Sequence, residues 1–517
     1  MATPTGVVEG APGRPGGDVA IQSPPALRRG ASESVIRGAA MLLAVQPFTW
    51  LTSLTAAVLV PHYLGASGLG AYAVAVTLAG FIRALSGLGV SGLLARDVAV
   101  ESGRAGVTTA AGLLLVLAAS CTAALAAAAA MTLLGSPLAP PMVLRIALVS
   151  AVVSNGSAVL TAFLQGRERH GLYALCTSGT AIAGAWAGLA MLALGGGAPA
   201  YLAMGVASGT VAAVVMVRVA ALHFTRAAFD RSLMWSLVVG GLPFMGWEVT
   251  RLVRAQIDLV LIAALLGTRA AGWLSAAYSI VMIPVFVPTL VATPLLPALS
   301  RSKGEWPEFR RTLRGSLVGV LALSLPASAG VCALAGEIPR FLHWPADLQH
   351  AAPLMVVLAW QQPLVAVDMV LGAALFALKR ERRFLLVLIV AALFNPIANL
   401  IGVPFCMALT GSGVSAAPPI EVATEVIMLV GTVMLLPRDV FDRGLGLSIG
   451  RIALASAALY GVVDLVGSRS VPAAIVAGAA TYALVALANG LVRPSEVREW
   501  CRVAQKFAQR RAMRFGN

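Results

Sequence analysis

Long apolar stretches alternate with short charged connections along almost the whole chain of 517 residues. Hydrophobic residues make up 59% of the sequence and charged residues only 11%, far from the averages of soluble domains. Fourteen stretches are long enough for a helix that crosses a bilayer, which needs about 20 apolar residues. The composition therefore restricts the chain to folds that use a membrane as solvent. The stretches lie at 38–60, 71–93, 107–134, 142–165, 171–194, 198–222, 235–266, 271–298, 313–336, 352–377, 384–408, 419–437, 448–466 and 471–492.

Positive charges lie mostly on one side of this pattern. The odd-numbered loops contain only Arg269, Arg340 and Arg469, and four further arginines lie within apolar stretches. The rest of the 37 Lys and Arg residues lie in the two tails, in the even-numbered loops or at the helix ends that border those loops. Short basic loops stay on the cytoplasmic side of a membrane. The asymmetry predicts a multi-pass protein of the cell inner (plasma) membrane with both termini in the cytoplasm.

The fold class follows from the environment of the backbone. A chain in hydrocarbon must pair its backbone polar groups internally, so it crosses either as helices or as a closed barrel. Barrel strands alternate apolar and polar residues, whereas these stretches are continuous runs of Ala, Leu, Val and Gly. We therefore expect an all-α polytopic membrane protein with 14 transmembrane helices.

Two motifs recur six helices apart. The turn after the first helix reads LGASGLGAY (64–72), and the turn after the seventh reads LGTRAAGW (266–273), at an offset of 202. The segments FLQGRER (163–169) and FALKRER (376–382) follow the fourth and tenth helices at an offset of 213. Two matches in the same order predict two six-helix lobes of the same orientation, with the substrate site of a transporter between them.

This repeat sets the predicted domain boundaries. We expect an N-lobe of helices 1–6 and a C-lobe of helices 7–12, followed by helices 13 and 14 and flanked by a disordered cytoplasmic tail and a basic cytoplasmic tail. The basic tail is expected to touch anionic lipids of the inner leaflet, or only to set the topology. In order, the tail, the two lobes, the final helix pair and the basic tail are predicted at 1–34, 35–222, 223–440, 441–492 and 493–517.

Several short motifs resemble those of a known family. In the first lobe they are VPHYLG (60–65), GLG (87–89) and Arg96. In the second they are Leu242-Pro243, Arg254, Asp258, AAY (276–278), LPALS (296–300) and the Asn395-Pro396 pair with Asn399. In this order they resemble the polysaccharide (Wzx-type) flippases, whose superfamily also contains lipid II flippases and multidrug and toxic compound extrusion transporters. Trp273 stands where that family usually has tyrosine.

The resemblance implies a fold, a substrate and partners. The fold would be a V-shaped transporter of 14 helices with a central cavity. The substrate would be an undecaprenyl-diphosphate-linked oligosaccharide, moved from the inner to the outer leaflet by alternating access for lipopolysaccharide or exopolysaccharide biosynthesis. Polysaccharide assembly proteins would be further partners. Proton or sodium coupling is compatible with the resemblance, and no other cofactor is expected.

Helix 7 concentrates charge inside the predicted membrane, where each ionisable group needs a partner or a wet cavity. Glu248, Arg251, Arg254 and Asp258 follow at steps of 3, 3 and 4, which places them on one helical face. In one interpretation, Glu248 pairs with Arg251 and Arg254 pairs with Asp258 in a purely structural ladder. In the other, the two arginines bind a diphosphate, which suits the planar guanidinium, and Asp258 or Glu248 holds them in the empty state or couples transport to an ion.

Further intramembrane charges leave alternatives open. Arg83 is expected at the cytoplasmic mouth of the cavity or snorkelling to the interface, and Arg145 at the outer end of helix 4 in a cavity or as a snorkelling anchor. Glu421 and Glu425 form an i,i+4 pair, for which hydrogen bonding between helices is favoured over a cation site.

Other function classes fit less well. There is no phosphate-binding GxxxxGK[ST] motif and no CxxC or catalytic His and Cys arrangement, so we expect no enzyme. The charge of +15 is spread over many short loops and forms no single basic surface for nucleic acid. The remaining alternatives are a lipid II flippase, a small-molecule exporter and a membrane glycan polymerase or ligase. Membrane glycan polymerases and ligases resemble one another in carrying a large outer loop, whereas the longest predicted outer loop of this chain is short.

Overall fold

The computed structural model describes residues 25–100, 105–134, 138–167, 169–220 and 226–491. Within these ranges the chain consists of helices joined by short turns and contains no strand, which confirms the predicted all-α class. Most of the predicted tail 1–34 and all of the basic tail 493–517 lie outside the described residues. The first helix begins at Pro25, inside the segment predicted to be disordered. Proline suits a first helical turn because its missing N–H would have no partner there.

The segment predicted as the first lobe contains the helices that precede residue 221. A π-helical turn, Leu175–Gly179, joins the fifth to the sixth, so the two form one membrane-crossing segment. The helices are α1 (Pro25–Ser86), α2 (Val90–Val100), α3 (Ala105–Leu134), α4 (Pro141–Gly166), α5 (His170–Ala174), α6 (Thr180–Ala193) and α7 (Gly197–Ala220).

The second lobe and the final helix pair follow. The helices are α8 (Arg231–Leu266), α9 (Thr268–Val281), α10 (Phe286–Arg301), α11 (Trp306–Leu334), α12 (Ile338–Phe341), α13 (Ala351–Leu358), α14 (Gln361–Ala377), α15 (Glu381–Thr410), α16 (Ala417–Met434), α17 (Arg443–Gly467) and α18 (Val471–Ala488). The last two pack together and against α11, where Leu459 and Val463 meet Ala329 and Leu334 in a small apolar core.

The number of membrane crossings is less plain than the fold class. Within the described residues, helices cover most of each predicted stretch. Among the described residues, however, ten helices are long and apolar enough to cross a membrane, or 11 if the pair Ala346–Leu358 and Gln361–Ala377, bent by 47°, is one span. The difference arises because α1 covers two predicted stretches, α8 carries five charged side chains, and a short 3-10 turn separates α9 from α10. Fourteen crossings therefore remain a prediction.

Gly65 divides α1 into two helices in series. Its backbone (φ 62°, ψ −177°) leaves the helical region, in a conformation that glycine adopts at little cost. The predicted loop at 61–70 is thus a single non-helical residue in an otherwise continuous helix. Gly267, at the equivalent place between α8 and α9, also has a positive φ of 88°.

The two repeat-related turns touch each other. A Cβ on Gly70 would lie 1.8 Å from the carbonyl oxygen of Thr268, and a Cβ on Gly272 would lie 1.8 Å from that of Ala66. The offset of 202 relates residue 66 to 268 and residue 70 to 272, so the contact is reciprocal, as across a pseudo-two-fold axis. Small residues allow such close approach of two helices. By the predicted topology this contact closes the outer end of the space between the lobes.

A side chain at this contact is expected to open the outer end of the space between the lobes. Gly272→Ala places a methyl group against backbone atoms of α1 that cannot rotate away, so α1 and α9 must separate. In a chain without its native cysteines, Ser154→Cys should then react severalfold faster with a membrane-impermeant maleimide added outside. Gly319→Ala is the control, because a Cβ at that helical glycine would meet no atom within 4 Å. Equal labelling rates would contradict this role of the contact.

Candidate functional site

The four charged residues in the middle of α8, Glu248 to Asp258, lie in two different environments. The helix starts at the N-cap Asp230, whose side chain accepts a hydrogen bond from the Ser232 N–H at 3.0 Å. Glu248 and Arg254 are six residues apart, which is about 120° around a helix. Glu248 and Arg251 therefore face the first lobe, whereas Arg254 and Asp258 point into the second. The four residues lie on one broad face, as their spacing predicts, but this face meets both lobes.

Glu248 joins two arginines from different lobes, and the three residues are here called the cavity cluster. Its Oε1 accepts hydrogen bonds from Arg83 Nη2 of α1 at 3.0 Å and from Arg251 Nη2 at 2.9 Å, and its Oε2 accepts one from Arg251 Nε at 3.0 Å. The side chains are 34% (Arg83), 30% (Glu248) and 45% (Arg251) exposed, so water and ligands can reach them. Two guanidinium groups share one carboxylate, which leaves one positive charge uncompensated within the cluster.

Both arginines line a cavity between the lobes. It has a volume of about 260 Å³ and is bounded by α1, α4, α7 and α8. Arg83 and Arg251 are the two charged residues among its described lining residues, and Gln256 also lines it. Such a cavity attracts an anion, and the planar guanidinium group can bind two oxygens of a phosphate group.

Asn155 holds the Arg83 segment in place. Its Nδ2 atom donates hydrogen bonds to the Arg83 carbonyl oxygen at 3.1 Å, to Ser86 Oγ at 3.0 Å and to Ser120 Oγ at 2.8 Å. The two N–H groups of an amide cannot serve three acceptors singly, so one N–H is shared. This network ties α4 to α1 and α3 and fixes the end of α1 from which Arg83 reaches the cavity.

Arg254 and Asp258 belong to a second, buried cluster. Arg254 forms a salt bridge with Glu425 of α16, and these side chains are 18% and 2% exposed. Asp258 Oδ2 accepts a hydrogen bond from Tyr278 Oη at 2.6 Å. The predicted pairing of Arg254 with Asp258 is therefore wrong. Arg254 reaches across to α16, and Asp258 turns toward α9.

Three acids from other helices complete this cluster. Glu421 accepts a hydrogen bond from Asn395 Nδ2 at 2.8 Å, and Asp368 lies beside Glu425. The cluster, here called the acidic cluster, thus brings four carboxyl groups around one guanidinium group. Its members are Arg254, Asp258, Tyr278, Asp368, Asn395, Asn399, Glu421, Thr424 and Glu425.

Charge balance decides what the acidic cluster can do. Asp258 and Glu421 are each 1% exposed and Asp368 is 8% exposed, so they have little contact with solvent. Uncompensated charges at such depth are costly, so one arginine cannot support four ionised carboxylates. Protonation of some of these carboxyl groups would lower the cost, so the net charge of the cluster depends on how many protons it holds.

Arg145 does not join either cluster. It is exposed on α4 and is not among the described residues that line the cavity. It lies two residues, about 200° around the helix, from the lining residue Ala147. Arg145 therefore faces away from Arg83 and Arg251, which favours the alternative that it is a snorkelling anchor over a place in the same binding cavity.

An apolar groove lies where the second lobe and the final helix pair meet α1. It has a volume of about 510 Å³ and is bounded by α9, α11, α17 and α18, with Leu323, Pro326 and Ile475 among its lining residues. None of its described lining residues is charged. Its lining suits a hydrocarbon chain, and it shares no described lining residue with the cavity that contains Arg83 and Arg251.

The sequence contained part of this site. The charges of α8 were recognised from their depth in an apolar stretch, and Glu421 and Glu425 from their i,i+4 spacing. The meeting of Asp368 with Glu425 and Arg254 was missed, and so was the bond from Tyr278 to Asp258. Spacing along one helix shows a shared face, but no signal in the sequence shows which helix packs against that face.

Comparison with known proteins agrees with the geometry. A family model described as polysaccharide biosynthesis protein matches residues 35–303, more than half of the chain, and a second model, MatE, matches residues 249–401. A search of curated proteins found no significant match.

Solved structures show the same fold at low sequence identity. The lipid II flippase MurJ in an inward closed conformation has a TM-score of 0.72 at 15% identity, with 86% of this chain and 97% of that chain covered. An inward-facing multidrug resistance MATE family transporter of the MOP superfamily has a TM-score of 0.60 at 14% identity, with 80% and 98% covered. These structures show the fold, and together with the two family models they bear out the predicted superfamily. The chain belongs to the polysaccharide biosynthesis protein family and has the fold of the MurJ and MATE transporters.

Proposed function

We propose that this protein is a flippase that moves an undecaprenyl-diphosphate-linked oligosaccharide from the inner to the outer leaflet of the plasma membrane. Alternating access between two lobes would carry the head group across, for cell-surface polysaccharide biosynthesis. The observation that carries this proposal is the cavity cluster, in which Arg83 and Arg251 from different lobes converge on Glu248. The family match and the resemblance of the fold to a lipid II flippase support the same class of substrate.

The cavity cluster suggests how the substrate is held. Glu248 neutralises the two arginines in part when the cavity is empty. A diphosphate offers more oxygen atoms and more negative charge than one carboxylate, so it competes for both guanidinium groups. Because Arg83 lies on α1 and Arg251 on α8, a diphosphate bound to both links the two lobes. The apolar groove beside α11 and α18 offers a place for the polyprenyl chain.

The two alternative functions within the superfamily are a lipid II flippase and an exporter of cationic small molecules. A lipid II flippase would use the same arginines, since its substrate shares the diphosphate. An exporter of cationic small molecules is disfavoured, because a cavity lined by two arginines repels a cation. Transport assays with the three substrate classes separate these functions.

The experiment uses purified full-length protein in proteoliposomes that contain an undecaprenyl-diphosphate-linked oligosaccharide in both leaflets. A membrane-impermeant sugar oxidant added outside should modify about half of the lipid without protein and nearly all of it with protein, because flipping replenishes the outer leaflet. Lipid II and a cationic dye are tested in parallel. Movement of lipid II alone would assign the protein to that substrate, and movement of the dye alone would contradict the flippase function.

We also propose that the acidic cluster couples transport to a proton or sodium gradient. Asp258→Asn removes one titratable group of the cluster while retaining a side chain that can bond Tyr278. In proteoliposomes with an imposed pH or sodium gradient, this variant should lose the acceleration that the gradient gives to the wild type. Asp464→Asn, at an exposed acid of α17, is the matched control. An unchanged gradient response in Asp258→Asn would contradict coupling at this cluster.

A further inference from the structure

A second cavity in the first lobe is lined by hydroxyl groups. Its volume is about 520 Å³, within the usual range of ligand pockets, and it lies among α4, α6 and α7. No charged side chain is among its described lining residues. The cavity is here called the hydroxyl groove, and its hydroxyl groups include those of Ser154, Ser157, Thr161, Thr177, Thr180 and Ser208.

The hydroxyl groove adjoins the cavity that contains Arg83 and Arg251. Four residues line both spaces: Val76, Ser150, Ser154 and Leu202. A ligand whose anionic part binds the two arginines can therefore extend into the hydroxyl groove. The part of the ligand that lies in the hydroxyl groove meets no charged side chain among the described lining residues.

The hydroxyl groups have bonding capacity to offer. Ser157 Oγ is buried and has no hydrogen-bond partner among the described residues. Thr161, Thr177 and Thr180 donate to carbonyl oxygens of their own helices at 2.9, 2.7 and 2.7 Å, which leaves their oxygen atoms free to accept. Each hydroxyl group has one donor and two acceptor sites. The groove thus presents mainly acceptors, which suit a ligand rich in hydroxyl donors.

Two further features shape the groove. The rings of Tyr72 and Tyr201 pack edge to face, with centroids 5.4 Å apart, on its wall. Such rings combine an apolar face with a polar hydroxyl, as does the surface of a sugar. The π-helical turn Leu175–Gly179 places Cys176 and Thr177 on the lining. π-helical turns are rare in proteins, and those that occur often lie at functional sites.

We propose that the hydroxyl groove binds the first sugars of the lipid-linked glycan, next to the diphosphate, and that it selects uncharged sugars. This rests on the proposed function and names the part of the substrate that the first lobe recognises. A carboxylate on one of these sugars would enter a space that offers it no cation, which is unfavourable. Uncharged sugars can exchange their hydrogen bonds with water for bonds to the groove.

Binding to purified full-length protein in nanodiscs tests this proposal with two probes. One is undecaprenyl diphosphate, and the other is the same lipid carrying a disaccharide of neutral hexoses. The variant Ser157→Ala with Thr180→Val loses two hydroxyl groups with little change of shape. It should bind the glycosylated lipid about tenfold more weakly than the wild type and the bare lipid equally well.

Two controls separate the groove from the arginines. Thr210→Val lies on the exposed side of α7, and its hydroxyl bonds the Val206 carbonyl at 2.8 Å as the groove hydroxyls bond theirs. This variant should bind both lipids as the wild type does. Arg83→Ala should weaken the binding of both lipids, because both contain the diphosphate.

Failure of the groove proposal and failure of the flippase proposal give different binding results. If the groove variant binds the glycosylated lipid as tightly as the wild type, the hydroxyl groove does not bind sugar, and the flippase function still stands. If the wild type binds neither lipid, both proposals fail. A third lipid, carrying a disaccharide of uronic acids, should bind more weakly than its neutral counterpart. Equal affinity would overturn the selection for uncharged sugars.

Discussion

Arg254→Ala is expected to remove most of the folded protein from the membrane. The substitution takes away the guanidinium group of the acidic cluster and leaves Glu425, whose side chain is 2% exposed, with Asp368 and Glu421 as its neighbours. Breaking a buried ion pair from one side costs about 3–5 kcal/mol, a large part of the stability of a typical domain. The measurement is the amount of monodisperse full-length protein extracted from the membrane.

Two further variants show whether charge is the cause. Arg254→Met with Glu425→Gln removes both partners and should restore much of the lost protein, because no unpaired charge of the pair remains. Arg251→Ala lies one turn away on the same helix at a side chain that is 45% exposed, and it should leave abundance near that of the wild type. Equal abundance of Arg251→Ala and Arg254→Ala would contradict the division of α8 into a cavity side and a buried side.

Arg83→Ala and Arg251→Ala are each expected to abolish most transport while leaving folded protein in the membrane. Loss of one partner of a charge pair at a binding site costs about 2–5 kcal/mol, so flipping should slow at least about thirtyfold. Lysine at either position should rescue only in part, because an ammonium group cannot bind two phosphate oxygens side by side. The measurement is the initial rate of oxidant access to the lipid-linked oligosaccharide in proteoliposomes.

Glu248 should behave differently from its two partners. Glu248→Gln frees both guanidinium groups from their competing carboxylate, so bare undecaprenyl diphosphate should bind more tightly while transport slows through delayed release. Arg145→Ala, at the exposed arginine that faces away from the cavity, is the control and should transport normally. Full activity of both lysine variants would exclude a bidentate contact with phosphate, and loss of activity in Arg145→Ala would contradict the placement of the site.

The sequence predicted the elements better than their contacts. Hydropathy and loop charge identified the helices. A helix in a membrane pairs its backbone groups within itself, so it is visible in the sequence as one long apolar stretch between charged loops. The repeat identified the turns at Gly65 and Gly267, but only the structure shows that Gly70 and Gly272 touch. A match between two segments shows that they are alike and leaves open whether they face each other.

The site shows the same limit. Glu248 meets Arg83 across 165 positions of the chain, and Arg254 meets Glu425 across 171. Within α8, spacing brought the four charges to one broad face. Glu248 and Arg254 lie about 120° apart around the helix axis, so they point into different lobes. For Arg145, depth in the membrane was visible in the sequence, but the side of α4 that borders the cavity was not.

The central claim is that this protein moves a lipid-linked glycan between leaflets, and its most direct test is the leaflet in which that glycan resides in cells. Cells that lack the protein are compared, as intact cells and as inverted vesicles, with a membrane-impermeant sugar-modifying enzyme. We predict that completed units accumulate on the inner leaflet, and that the wild type but not Arg83→Ala restores them to the outer leaflet. Normal outward exposure in cells without the protein, with polymer length or drug sensitivity altered instead, would contradict the flippase function.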